Sequence, residues 1–276
     1  MGTSKSSEGP GPGVSLVPPW ADRVEDGDVE TDGPSDDLPE EQPADSPNEP
    51  STPLAPPARF RGARRSIRAF GNSGDTQDLR RALRHYVSAG YGGSGSMTRR
   101  LGSTATTAGR LNGFLQAPAV SDFTAIRDAV VASGNDVNVV LDAIVEATAP
   151  LDGTQDREVS RRAIHDALTD LLKRYPDADL LALGDAQREF VVERYAALDV
   201  YSRFCLDLQK SLMEKAPDAT TGLSRLRQVR EFINERVAAA FRTIKATRSA
   251  ATVSNITRLT SQALRETFSI FEDFTA

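Results

Sequence analysis

The residues best suited to chemistry are few. Gly90, Gly92 and Gly95 stand in the spacing G-x-G-x-x-G, the turn that lets a backbone approach a pyrophosphate in nucleotide-binding domains. Here the pattern follows a helical stretch instead of a strand, and Ser96 stands where a phosphate-binding loop needs lysine. What remains is a loop, with Gly92, Gly93 and Gly95, ahead of a helix that carries Arg99 and Arg100. Backbone N–H groups and guanidinium forks suit a phosphate, a carboxylate or the tail of a partner. The same loop also suits a tight connection between packed helices. Upstream, Arg59, Arg61, Arg64, Arg65 and Arg68 form a run without lysine. Arginine favours bidentate and stacked contacts, so Arg64, Arg65 and Arg68 are candidates for an acidic partner, the chain's own acidic segment or nucleic acid.

Catalytic groups find no constellation. The two histidines, His85 and His165, lie far apart on helical stretches and outside any metal-ligand spacing. The one cysteine, Cys205, falls in an apolar helical pattern and reads as a core thiol. The expectation is a protein that is not an enzyme and needs no metal or cofactor.

Chemistry of another kind sits at the start, MGTSKSSEGPGPGVSLVPPW. The small Gly2 favours removal of Met1, which leaves an unhindered terminal amine. Met1-Gly2 with Ser6 also fits the pattern for N-myristoylation, a reaction of eukaryotic enzymes, whereas the Ala-, Arg- and Asp-rich composition has a bacterial character. Residues 16–20, Leu-Val-Pro-Pro-Trp, include the only tryptophan. A glycine tip with a Pro-Pro-Trp anchor has the form of something presented to a partner.

The elements that would position these groups follow from charge and periodicity. Residues 1–58 hold twelve of the sixteen prolines and thirteen Asp/Glu against Lys5 and Arg23, a net of -11. Such a stretch buries too little apolar surface to offset its ordering entropy. We therefore expect residues 1–58 to be a disordered N-terminal arm, 1–20 its partner-binding tip and 21–58 an acidic spacer. Residues 59–115 carry eleven arginines against Asp75 and Asp78, a net of +9, and read as an Arg/Gly-rich helical segment. The acidic stretch can lie against this segment until a partner displaces it. Residues 116–276, with a net of -4, read as a helical body. Apolar residues recur at helical spacing from Asp75 to Gly90 and from about Ser96 to Leu115. Further helices are expected from Ser121 to Gly134, Asp136 to Pro150, Thr154 to Tyr175, Asp185 to Lys215, and twice after Pro217. Strand alternation is absent, so the fold class is all-α, a helical bundle. No run of eighteen apolar residues and no leader appear, so no membrane association and a cytoplasmic location are expected.

The stretches MGTSKSS…GPG…LVPPWAD and LRRALRHYVSAGYGGSGSMTRRLGST resemble the B protein of Qat anti-phage defence systems. The resemblance implies partners: an ATPase, a QueC-like enzyme of 7-deazaguanine chemistry and a TatD-like nuclease. It also implies a role for the tip. A QueC-like enzyme activates a carboxylate on a deazaguanine ring and passes it to an amine, here the amine of Gly2, with Thr3 and Ser4 in the active-site channel. Pro18, Pro19 and Trp20 would dock outside that channel. Two other functions stay open: a helical adaptor linking the ATPase to other components, and a nucleic-acid sensor working through the Arg-rich segment.

Overall fold

The computed structural model describes residues 13, 15–17, 55, 57–116, 128, 136–247 and 255–274. Among these residues the fold is all-helical. The order is α1 (Arg61–Ser73), α2 (Thr76–His85) continued by a π-helical turn (Tyr86–Gly90), α3 (Ser94–Arg100), α4 (Gly102–Leu115), α5 (Val137–Thr148), α6 (Gln155–Arg174), α7 (Asp185–Met213), α8 (Ala219–Thr247) and α9 (Ile256–Glu272). The helix expected between Ser121 and Gly134 lies, apart from Asp128, outside the described residues.

Side-chain caps account for four of the starts, each satisfying one N–H that the first helical turn leaves unpaired. Asp75 accepts from the N–H of Gln77 at 2.9 Å and Asp136 from that of Asn138 at 2.8 Å. Thr154 accepts from Arg157 at 3.2 Å and Asn255 from Arg258 at 3.0 Å. The basic stretch from Arg61 forms α1. It buries Ala63, Ile67, Phe70 and Gly71 and ends at Gly74, whose N–H returns to the Phe70 carbonyl.

One expected helix divides. The span from about Ser96 to Leu115 breaks at Leu101 (φ −95°, ψ 20°), where the N–H of Thr104 turns back to the Leu101 carbonyl at 3.0 Å. The bend lets α3 lie on α9 while α4 packs against both α7 and α9. Its expected inward residues, Met97, Leu101, Ala105, Ala108 and Leu111, are all buried.

The 29-residue α7 is the axis, touching α1, α4, α6 and α8. Against its far side α9 closes the bundle, contacting α2, α3, α4 and α8. A single core runs from Phe60 through Phe204 and Phe241 to Phe268 and Phe271, so the Arg-rich segment shares its interior with the rest. Each such phenyl group removed from water stabilises the fold by about 1.5–3 kcal/mol.

Candidate functional site

The glycine loop is committed to the fold. Gly92 and Gly93 have positive φ, 75° and 99°, and turn the chain into α3. The first N–H of α3, on Ser94, donates to Oε2 of Glu272 at 3.0 Å. The anion at this helix N-terminus is thus the chain's own carboxylate, brought from the end of α9, where it complements the positive end of the helix dipole. Gly95 lies inside α3 and faces open space. Arg99 donates to the Ser96 hydroxyl at 3.4 Å, and Arg100 pairs with Asp156 at 3.5 Å.

The described residues that precede α1 are more distinctive. Leu16, Val17 and Ala55 are only 3%, 8% and 3% exposed, and the N–H of Gly13 donates to the Ala55 carbonyl at 3.0 Å. Just beyond, the Arg59 guanidinium lies over the Phe60 ring at 4.4 Å and donates to the Gly90 carbonyl at 3.4 Å. Phe60 stacks on Tyr86 with centroids 5.7 Å apart and meets Tyr91 edge-on at 5.8 Å. A Cβ on Gly90 would come 2.6 Å from the Phe60 ring, so the bare backbone there is what admits the phenyl group.

Beneath these rings, Tyr86 and Tyr91 both donate to Oδ2 of Asp207, each at 3.0 Å. In an α-helix, residues five apart point about 140° away from each other. The wider π-helical turn brings both hydroxyls to one carboxylate, as such turns do where a helix must aim side chains. Burial pushes the Asp207 carboxyl above its usual range, against the pull of Tyr86, Tyr91, Arg59 and Arg64. Burial likewise drives the Tyr86 and Tyr91 hydroxyls well up, so they remain donors at cellular pH. This centre holds and orients chain; its donors and acceptor are already matched to each other.

Of the expected arginines, Arg64 is half-buried with its guanidinium 5.9 Å from the Phe60 centroid. Arg65 is exposed, and Arg68, also exposed, pairs with Glu214 at 3.0 Å. Arg61, Arg65 and Arg68 fall at i, i+4 and i+7, one stripe on α1. Gly2, Thr3, Ser4, Pro18, Pro19 and Trp20 lie outside the described residues.

Two further polar features carry no sequence signal. Asp199, fully buried, accepts from Thr104 at 2.6 Å, Ser160 at 2.8 Å and Arg203 at 3.0 Å, while Arg203 also reaches Asp156 at 2.8 Å. This network ties α4, α6 and α7 together. On the outer face of α6 to α8, a cleft of about 550 Å³ is lined by Val159, Arg162, Leu198, Tyr201, Cys205 and Leu206, among others. Burial pushes the Cys205 thiol up to about 11, which leaves it protonated and a poor nucleophile at neutral pH. Among the described residues no group of three His, Cys, Asp or Glu is placed to hold a metal ion. Among them, too, no helix is long and apolar enough to cross a membrane.

Among the described residues the chain is a helical bundle in which the Arg59 guanidinium and the Phe60, Tyr86 and Tyr91 rings gather over the Asp207 carboxylate. The family model of the Qat anti-phage system associated protein QatB matches residues 92–271. The chain belongs to that family and is a component of an anti-phage system. The matched span runs from the glycine loop to the end of α9 and overlaps only residues 92–104 of the stretches that carried the resemblance. No curated protein and no solved structure matches the chain.

Proposed function

We propose that the chain is the non-catalytic, segment-presenting component of its defence system. It offers the amine of Gly2, exposed once Met1 is removed, to a QueC-like partner that joins a 7-deazaguanine to it. In that step the Gly2 nitrogen bonds to the activated carboxyl carbon of the ring substituent, loses one proton and displaces the activating group, which gives an amide. An N-terminal amine titrates near 8, so a useful fraction is neutral and nucleophilic in the cell. Glycine adds no side chain to obstruct a narrow channel, and Thr3 and Ser4 would follow it in. Pro18, Pro19 and Trp20 would dock at the channel's rim.

The observation that carries this reading is the burial of Leu16 and Val17, only 3% and 8% exposed, next to the Pro-Pro-Trp of the segment that bears Gly2. A segment with buried residues so near its end suits display better than tethering alone. Intact mass spectrometry of the chain co-expressed with its operon tests it. Expected are loss of Met1 and an adduct of deazaguanine size on Gly2; an unmodified Gly2 beside an active partner would overturn the reading. Gly2→Pro should abolish both adduct and defence.

A second reading, a helical adaptor between the defence ATPase and other components such as the TatD-like nuclease, is favoured by the cleft on α6 to α8, where Leu206 is exposed. It predicts that Gly2→Pro is tolerated. Nucleic-acid binding through the Arg61, Arg65 and Arg68 stripe would show as a salt-dependent gel shift.

A further inference from the structure

We propose that the cleft on α6 to α8 is a docking groove for an amphipathic helix of another protein. That helix carries basic, acidic and basic residues at i, i+4 and i+8 along one edge of its apolar face. The inference deepens the adaptor reading above and rests on it; the Gly2 reading does not enter.

The groove follows from how three helices pack. Both α6 and α8 lie against α7, so the strip of α7 between them forms a floor. Leu198, Tyr201, Cys205 and Leu206 fall at i, i+3, i+7 and i+8, the spacing of one helical face, and all four line the cleft. Phe204 and Leu208 are fully buried, whereas Leu206 is 39% exposed. Besides the side that builds the core, α7 thus carries a second apolar surface. With Gln209 the strip extends along about 16 Å of helix, roughly three turns.

Shape selects the occupant. The cleft is concave, with a volume of about 550 Å³. A two-fold contact between copies of this chain would bring the same hollow to both sides, and two hollows do not fill each other. A helix is convex, about 10–12 Å across with its side chains, and an apolar face at i, i+3, i+4 and i+7 is what such grooves receive.

Charge selects the sequence of that helix. Glu158, Arg162 and Asp166 stand at i, i+4 and i+8 on α6 and form one wall. At that spacing they could pair along their own helix. Among the described residues, however, Glu158 and Arg162 form no ion pair, and Asp166 meets only the neighbouring His165, at 3.9 Å. The other wall differs, for Arg230 is already engaged by Asp170 at 2.8 Å. Unengaged charges of alternating sign are matched by an edge of the reverse order. Minus, plus, minus reads alike from both ends, so the edge fits whichever way the partner helix runs. A surface of a single sign, such as nucleic acid or an anionic membrane, would set a like charge against Glu158 and Asp166.

Fluorescence anisotropy on the full chain tests this with two labelled helical peptides of about fifteen residues. Both carry leucines at i, i+3, i+4 and i+7. One has lysine, glutamate, lysine along its edge and the other glutamate, lysine, glutamate. The first should bind about tenfold more tightly, a gap that narrows with added salt. Glu158→Lys with Arg162→Glu and Asp166→Lys should invert the preference. Leu206→Asp, at an exposed position, should abolish binding of both peptides and leave the thermal midpoint unchanged. Equal affinities, no binding by either peptide, or a preference that the triple substitution leaves in place would overturn the proposal. In cells carrying the whole operon, a photo-crosslinking residue at Gln209 should link to a segment of another component that bears this edge. Linkage within the chain, linkage to a second copy or no linkage would overturn it equally. The tolerance of Gly2→Pro decides the adaptor reading separately, since it does not depend on what fills the groove.

Discussion

Asp170 shows how a single side chain on this bundle sets a pH window. It accepts from Arg194 Nε at 2.8 Å, from Arg230 Nη2 at 2.8 Å and from Lys173 at 3.4 Å, joining α6, α7 and α8. Burial would raise its carboxyl, but the hydrogen bond and charge of Arg194, aided by Arg230 and Lys173, outweigh that and hold it below the usual range. A carboxylate depressed in the folded state stabilises the fold above its unfolded pKa, near 3.9, and loses that contribution as pH falls through the folded value. Because its partners are partly exposed, the effect is about 1 kcal/mol. Urea unfolding of Asp170→Asn should therefore show that deficit at pH 7 and a shrinking one as pH drops below about 4; a gap that stays constant with pH would refute the assignment. Such groupings were hidden in the sequence for a plain reason. Caps such as Asp75, Asp136 and Thr154 act within three residues of their own helix, so sequence pattern reveals them. The Asp207 pair with Tyr86 spans 121 positions, and the Glu272 contact with Ser94 spans 178. No local pattern marks those two carboxylates among the dispersed ones.

Helix spans were readable because apolar spacing and caps agree, as in α6 and α7, where Thr154 and Asp185 mark the starts. The break at Leu101 was not, because the inward residues keep one periodic series across it while the backbone changes direction. The seating of Leu16 and Val17 was also hidden, since two apolar residues among prolines and glycines have no periodicity to announce burial. Crossing geometry is likewise silent in sequence. A Cβ on Gly71 of α1 would come 2.5 Å from the Leu212 carbonyl of α7, so the two backbones approach more closely than any side chain permits. Alanine is the better helix former by about 1 kcal/mol, yet the clash is with backbone that cannot swing away. Gly71→Ala should accordingly destabilise the chain by about 2 kcal/mol net, read as a lower urea midpoint; a rise in midpoint would mean that α1 shifts at little cost.

Charge is distributed so that the most acidic and most basic stretches adjoin in sequence. Residues 18–54 carry twelve Asp/Glu and one arginine, and residues 59–115 carry eleven arginines, Arg61, Arg65 and Arg68 in one stripe among them. Attraction between them is screened over about 10 Å at 0.1 M salt and about 3 Å at 1 M. The hydrodynamic radius should therefore grow with added salt, and Arg61→Ser, Arg65→Ser and Arg68→Ser together should remove that response; a response that persists would place the attraction elsewhere. The position of α9 has a consequence in time. The last described helix lies against α2, α3 and α4, among the first, so those early helices leave the ribosome with part of their apolar surface uncovered. About 160 residues must follow α4 before α9 is made, and translation at about 5–20 residues per second takes roughly 8–30 s. For that interval the nascent chain is a client for chaperones and a target for proteases, and native assembly waits for α9 to emerge.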